Sequence, residues 1–297
     1  MFAVMSKPTL PSPADAAETA GVRIVPLDDM ALVGAAADLI DRVWATTDLM
    51  RTNLIRAVEQ AGGYAVGALD PASGELVGTT VAFLGSHEVD GQRQPTLHSH
   101  ITCTDVRSKG VGLALKVHQR EWCAARGIVA VTWTFDPLVA RNAWFNLGKL
   151  GATGRQYLVN HYGAMDDAIN AGDESDRLLA WWPSGAGNSA GQAGPLGADG
   201  SAAADLAAVR LLDVGTAGEP VLSPVRVDAA SVLLEVRVPP DIEATRRRDP
   251  DLARRWRTAV RETMGQAMAC GHRATGMRRD GTYLLTPAEA VVEGMGR

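Results

Sequence analysis

The sequence predicts an α/β protein, a mixed central sheet flanked by helices, with an appended C-terminal strand-helix-strand block. Three observations predict it. Strand-like and helix-like periods alternate through the centre of the chain, a glycine-rich turn joins a strand to a helix there, and a Gly/Ala-rich stretch separates this region from a second run of apolar periods. At 297 residues, 46% hydrophobic and 21% charged, the chain has room for one large or two modest domains and the composition of a folded globular protein.

Residues 1–21 carry no basic-then-apolar leader pattern and are expected to form a flexible tail. Leu32, Val33, Ala36, Leu39, Ile40, Val43 and Trp44 recur at three- and four-residue spacing, which predicts a helix over 28–45. A second helix follows, with Thr47 as its cap, Leu49, Met50, Leu54, Ile55 and Val58 on one side, and Gly62-Gly63 as its stop. Strands over 64–69 and 76–84 flank the turn formers Asp70-Pro71-Ala72-Ser73-Gly74, which predicts a hairpin, and a polar loop is expected to run from there to about Pro95.

The centre then reads as a strand over 96–104, a turn over 107–112, a helix over 113–126, a strand over 128–135 and a helix over 139–150. These complete a domain expected over 22–182. Between Pro183 and Ala204 there are six Gly and seven Ala with Asp199 as the one charge, too little apolar surface to offset ordering entropy, so 183–204 is expected to be a flexible linker. In the block over 205–297, residues 231–238 read as a strand and 281–285 as another. Between them Asp249-Pro250 opens a helix bearing Leu252, Trp256, Val260 and Met264 on one side and ending at Gly271. The arginines from Arg246 to Arg261 are interspersed with Asp249, Asp251 and Glu262, the pattern of a solvated helix face.

The net charge of −5 argues against a nucleic-acid partner, whose phosphates need a basic footprint. No apolar run approaches the roughly 18 residues of a membrane span, so a cytoplasmic, membrane-free protein is expected. Cys103, Cys123 and Cys270 form no C-x-x-C pair, which suggests neither a disulfide framework nor a cysteine metal site.

The stretch that carries chemistry is Arg107-Ser108-Lys109-Gly110-Val111-Gly112-Leu113 after Thr102-Cys103-Thr104. A glycine-rich turn between a strand and a helix presents backbone N–H groups at the positive end of the helix dipole, and Arg107 and Lys109 add charge; this is an anion cradle. It fits neither the G-x-G-x-x-G dinucleotide fingerprint nor the Walker A string. His98 and His100 alternate along the preceding strand, so they share a face, and imidazole titrates near neutral pH. With only two such side chains and no evident third, a metal site is not expected. Asp136, before Pro137 at a strand end, suits a base or an ammonium ligand, with helix capping as its other reading. Arg141 suits a carboxylate, and Trp144 an apolar cleft wall.

The R-x-x-G-x-G turn resembles the pyrophosphate loop of the GNAT acyltransferase superfamily, and the element order around it is that superfamily's order. Over 22–182 the strings LHSH, LKVHQR, TWTFDPL, ARNAWFNLGKLGA and SDRLLAWW resemble a GNAT subgroup often encoded beside N-acylamino-acid racemases. The resemblance implies a GNAT fold and an acyl-CoA-dependent N-acyltransferase. It implies acetyl-CoA or succinyl-CoA as co-substrate, no metal, a small-molecule amine acceptor such as an amino acid, and direct attack of the amine on the thioester. It places Thr102, Cys103, Thr104, Arg107, Ser108, Lys109, Gly110, Val111, Gly112, Leu113, Asn142 and Asn146 at the donor and His98, Arg141 and Trp144 at the acceptor. His100, Asp136 and Tyr157 are the candidate catalytic groups, with Tyr162 as a second candidate acid. Leu147 stands where the family carries a tyrosine acid, which leaves a non-catalytic CoA-binding module as the alternative. The oligomeric state stays open, a homodimer included.

Overall fold

The computed structural model describes residues 10–89, 91–105, 109–163, 173–185, 208–224 and 233–288. These form two compact units: residues 10–133 with 183–185, and residues 134–182 with the described residues from 208 onward. The division falls inside one strand, so the domain expected over 22–182 contributes to both units.

In the first unit, strands β1 (Arg23–Pro26), β2 (Tyr64–Leu69), β3 (Leu76–Val89), β4 (Gln92–Thr104) and β5 (Ala130–Phe135) lie in that order. All neighbours are antiparallel except β4 and β5, which run parallel. Helix α2 (Met30–Trp44) starts on Asp29, whose carboxylate accepts the amides of Ala31 and Leu32. With α3 (Thr52–Gln60) it covers one sheet face, burying Leu27, Val33, Ala36, Leu39, Ile40 and Ile55 against Val81, Ile101 and Cys103. Each of the valine, leucine and isoleucine side chains contributes roughly 1.5–3 kcal/mol when fully buried. Helix α4 (Val111–Ala124) covers the other face.

Three expectations are corrected here. Residues 13–20, placed in a flexible tail, form helix α1 (Pro13–Ala20), capped by Ser12 at one end and left-handed Gly21 at the other, and packed on α4. Thr47 caps nothing: α3 begins five residues later, and the amides of Asp48 and Leu49 are tied instead to the Asp41 carboxylate. The polar loop before Pro95 is a continuation of the β3–β4 ladder, whose register runs out to Val89↔Gln92. Ser86, His87, Glu88, Arg93 and Gln94 look like loop in sequence because this end of the hairpin has no buried face to demand an apolar alternation.

The second unit is a seven-stranded mixed sheet in the order β7 (Arg177–Pro183), β6 (Thr153–Leu158), β11 (His272–Met277), β12 (Thr282–Pro287), β10 (Leu233–Arg237), β8 (Ala208–Val214), β9 (Pro220–Leu222). The appended block joins the earlier segment through Ala274↔Gly154. A Cβ at Gly154 would stand 2.8 Å from Leu178 and 3.0 Å from Ala274, so only glycine admits that approach. Its helices are α5 (Ala140–Ala143), which continues as a π-helical turn over Trp144–Lys149, then α6 (Ile242–Arg248), α7 (Pro250–Val260) and, after a second π turn over Arg261–Gly265, α8 (Gln266–Ala269). Asp249 caps α7 with Pro250 at its first position, as expected, and Trp256 is fully buried with its indole N–H on the Gly218 carbonyl. The expected linker is described only as far as residue 185, where Ser184 bonds the backbone of Ile128 and Val129; 186–204 lie outside the described residues.

Candidate active site

The first unit holds the candidate donor half. The β4–β5 register runs from Thr96↔Ala130 to His98↔Thr132 and no further among the described residues, whereas β4 continues to Thr104. One edge of β4 from residue 99 onward is therefore left by its parallel neighbour. In the same stretch the register with β3 shifts: Ala82 faces Ser99 and Val81 faces Ile101, which makes His100 the bulged residue. The bulge inverts the alternation. Ser99 and Thr102, three apart, bond each other at 3.4 Å on the α4 face, while Ile101 and Cys103 enter the α2–α3 core.

After β4 the chain turns into α4 through Gly110, whose φ of 88° is left-handed and favours glycine. The Gly110 carbonyl accepts the amides of Leu113 and Ala114. The helix start thus presents the amides ahead of these, which have no intrahelical partner, together with the dipole. Lys109 and Gly110 are exposed, Gly112 and Leu113 half-buried and Val111 buried. Arg107 and Ser108 lie outside the described residues.

His98 is half-buried, its Nδ1 3.2 Å from Thr132 Oγ1 on β5. His100 lies against Phe83 with ring centroids 5.2 Å apart, and Phe83 is the ladder partner of His98, so both histidines border one aromatic ring. Partial burial lowers the His100 pKa, which keeps its imidazole neutral at pH 7. Burial pushes the Cys103 thiol up to about 12, so its side chain is packing and only its backbone is available to a ligand.

Beneath β4 is a buried polar chain. Lys116 Nζ on α4 donates to Ser99 Oγ at 2.9 Å and to Gln119 Oε1 at 3.4 Å, and stands 4.2 Å from the centre of the Trp133 ring on β5. Thr80 Oγ1 donates to Thr102 Oγ1 at 3.1 Å. Burial pushes the Lys116 amine down to about 7. Lys116 was not among the expected site residues, yet the stripe Gly112, Lys116, Gln119, Cys123 at helical spacing could have shown a lysine turned inward.

In the second unit most of the expected groups are engaged by partners within the protein. Asp136 is one of them. Its Oδ1 accepts from Arg257 Nη1 at 2.8 Å and from the Leu138 amide at 2.9 Å; its Oδ2 accepts from Arg246 and Arg257 at 2.6 and 2.8 Å. Burial alone would raise its pKa, but the two guanidiniums overcome that and hold the carboxyl well below the usual range. Asp173 completes the cluster, 2.9 Å from Arg257 and 3.1 Å from Arg246. Arg246 and Arg257, expected on a solvated face, are buried ion-pair partners. Their partners lie 73 to 121 positions away in the chain, beyond any local pattern.

Tyr157 is no available acid: its hydroxyl donates to Asp176 Oδ2 at 2.7 Å, and burial, with the Asp176 charge next, drives its pKa far up. Arg141 forms a two-pronged pair with Glu243 of α6, so its fork is already occupied. Trp144 is half-buried with Arg279 4.6 Å over its ring, Asn142 is exposed, and Asn146 and Leu147 are buried. Tyr162 remains open, 43% exposed, with its hydroxyl 2.9 Å from Thr134 Oγ1. Among the described residues no group of three His, Cys, Asp or Glu could hold a metal ion, and no helix is long and apolar enough to cross a membrane.

No protein-family model matches the chain, and no curated protein matches it. Solved structures do. The chain is similar to a structure of the NatC complex bound to Gag peptide and CoA, at 16% identity and TM-score 0.42, covering 55% of this chain and 98% of that one. It is similar to the ribosomal-protein-S18-alanine N-acetyltransferase from Escherichia coli, at 15% identity and TM-score 0.42, covering 57% of this chain and 97% of that one. It is also similar to aminoglycoside 6'-acetyltransferase type Ii, at 17% identity and TM-score 0.42, covering 55% of this chain and 97% of that one.

Proposed function

We propose that the first unit binds an acyl-CoA thioester along β4 and that the protein transfers the acyl group to a primary amine. The observation that carries this reading is the conjunction on one strand. β4 leaves β5 after His98, bulges at His100 and runs directly toward the glycine-started helix α4. An unpaired strand edge offers hydrogen-bond groups to an extended amide-containing chain such as pantetheine, in the manner of an added strand. The helix start six residues beyond suits the pyrophosphate, with Lys109 alongside.

In this reading a backbone N–H of β4 polarises the thioester carbonyl, an element typically worth about 3–4 kcal/mol in acyl transfer. The acceptor must be neutral to attack, and His100, its imidazole neutral at pH 7, is the group that takes the proton of an incoming ammonium before attack. The acceptor is a small amine such as an amino acid and the donor acetyl- or succinyl-CoA, in a cytoplasmic setting. The engagement of Arg141 with Glu243 removes one of the groups expected to read a carboxylate on either. The same loss of Asp136 and Tyr157 as free groups favours a second reading, a CoA-binding module without turnover.

The test is thermal unfolding with CoA, acetyl-CoA and succinyl-CoA, followed by thiol release against a panel of amines. A ligand at a hundred times its dissociation constant stabilises the native state by about 2.7 kcal/mol. A clear upward shift with thiol release is expected. A shift without release from any amine selects the binding module, and no shift with any thioester rejects the donor site.

A further inference from the structure

We propose that Lys116 is a positioning residue for acyl transfer, the proton-accepting end of a buried relay that runs from Thr102 through Ser99 to its amine. This rests on the reading of β4 as the donor strand.

The composition of the chain makes the residue conspicuous. Of its 29 basic residues, 25 are arginines and four are lysines, Lys7, Lys109, Lys116 and Lys149. The buried ion pairs of the second unit use arginine against carboxylate. Lys116, 5% exposed, has no carboxylate within ion-pair reach among the described residues, only two neutral oxygens and an indole face. Arginine at such a position would stay charged, whereas lysine can release its proton. A straight apolar side chain of similar length would fill the same space without the cost of desolvating an amine. A buried amine kept without a counter-ion, and of the one basic type that can become neutral, suits proton transfer better than packing.

The surroundings agree. From β4 the amine meets Ser99, and through it Thr102; from β3, Thr80; from β5, Trp133; from its own helix, Gln119 and Cys123. Burial holds the Cys123 thiol up at about 12 and raises the Tyr64 phenol of β2, which is tied to His118, so neither is an anion at neutral pH. The acidic residues of α1, Asp15 and Glu18, are exposed. The chain's half-buried end, Thr102, lies on the part of β4 that β5 has left.

The proton balance closes within the relay. As the amine nitrogen bonds to the thioester carbon, its surplus proton passes to Thr102 Oγ1. The Thr102 proton moves to Ser99 Oγ and the Ser99 proton to Lys116 Nζ, giving an ammonium. When the C–S bond breaks, the same path returns one proton to the thiolate. Amide and thiol are formed and no side chain is changed.

With only four lysines, the protein labelled with 13C at lysine Cε gives few signals, and Lys116→Met assigns the one in question. The expected result is a titration midpoint near pH 7 that moves when saturating CoA is added. In thiol release from acetyl-CoA, the acidic limb near pH 7 should be lost in Lys116→Met and in Ser99→Ala, with the CoA-induced thermal shift retained in both. Lys116→Arg, held charged, should lose rate at every pH. A packing role would leave the limb in place. If CoA binds yet the Lys116 midpoint stays where it was, or Lys116→Met keeps the limb, the relay is overturned. Absence of any CoA-induced thermal shift instead removes the donor site itself, and the relay falls with it.

Discussion

The two units each bury charge, and they do so on opposite terms. In the second unit Asp136 and Asp173 face Arg246 and Arg257, two anions against two cations, with the remaining Asp136 lone pairs taken by a backbone amide. The Asp136 carboxylate is held ionised there by guanidiniums that do not give up a proton. In the first unit one amine is buried with hydroxyl, amide and indole neighbours and, among the described residues, no anion. The first arrangement fixes three segments distant in sequence, the loop after β5, the segment before β7 and the helices α6 and α7, and does not respond to pH near neutrality. The second ties α4 to β4 and β5 through an amine that burial pushes down to about 7. Strongly perturbed groups are thus of two kinds here, and partner chemistry, not the size of the perturbation, separates scaffold from chemistry.

The largest effect is expected from breaking the balanced cluster. Arg257→Met removes the guanidinium shared by both carboxylates and should cost about 3–5 kcal/mol, because it strands buried anions. Urea unfolding of the variant measures it. The folded Asp136 pKa is depressed, so its stabilisation is complete above the unfolded value near 3.9 and is lost only as pH falls below it. The wild-type stability from the cluster should therefore not change between pH 5 and pH 9, and the deficit of Arg257→Met should shrink toward low pH as the stranded carboxylates take up protons; wild-type stability that fell across neutral pH with the deficit unchanged would mean that the cluster titrates in the intact protein.

Lys116→Met should act with the opposite sign. The folded amine titrates near 7 and the unfolded one near 10.5, so the wild type carries its full desolvation cost below pH 7 and sheds it progressively as pH rises toward 10.5. The shift corresponds to at most about 5 kcal/mol at 1.36 kcal/mol per unit. Loss of the donor to Ser99 and Gln119 offsets part of that at about 1–3 kcal/mol for an unsatisfied group. A net gain of about 2 kcal/mol at pH 6 that vanishes by pH 10 is expected from paired melting curves. A variant no more stable than wild type at pH 6 would show that the amine is solvated or paired, and the contrast between the units would collapse.

The same contrast explains what could be read in the chain. Helix α2, the β2–β3 turn, β4, the glycine turn and α4 follow from local periods, caps and glycines, each signal lying within a dozen residues of its consequence. The β3–β4 extension was missed because a strand with no buried face has no apolar alternation, and α1 because Ser12, Pro13 and Gly21 cap a helix too short to show a period. Local periods and turn signals do not reveal strands β1, β6, β7, β8, β9 and β11 or helix α6. In the site, the helix-start cradle was legible, whereas the states of Asp136, Tyr157 and Arg141 were not: their partners Arg257, Asp176 and Glu243 lie 121, 19 and 102 positions away. A strand end suits Asp136 for a site, and it is equally good for an ion cluster.

The smallest effects come from the two glycines of the turn, and they separate backbone demand from ligand demand. Gly110 sits at a φ of 88°, and a Cβ there would stand 3.4 Å from Ala20 Cβ of α1, so Gly110→Ala should cost about 1–2 kcal/mol for the left-handed backbone whatever the ligand. Gly112 is inside the first turn of α4, and the nearest contact of an added Cβ would be Thr104 Cγ2 at 4.0 Å. Nothing among the described residues requires glycine there, and alanine should stabilise the helix by about 0.5–1 kcal/mol. If the open side of Gly112 exists for the close approach of a pyrophosphate, Gly112→Ala should melt slightly higher and bind CoA more weakly, a pair of opposite shifts that a purely structural glycine cannot give. Unchanged CoA affinity in this stabilised variant would move the phosphate off the helix start and leave β4 to hold its ligand by the strand edge alone.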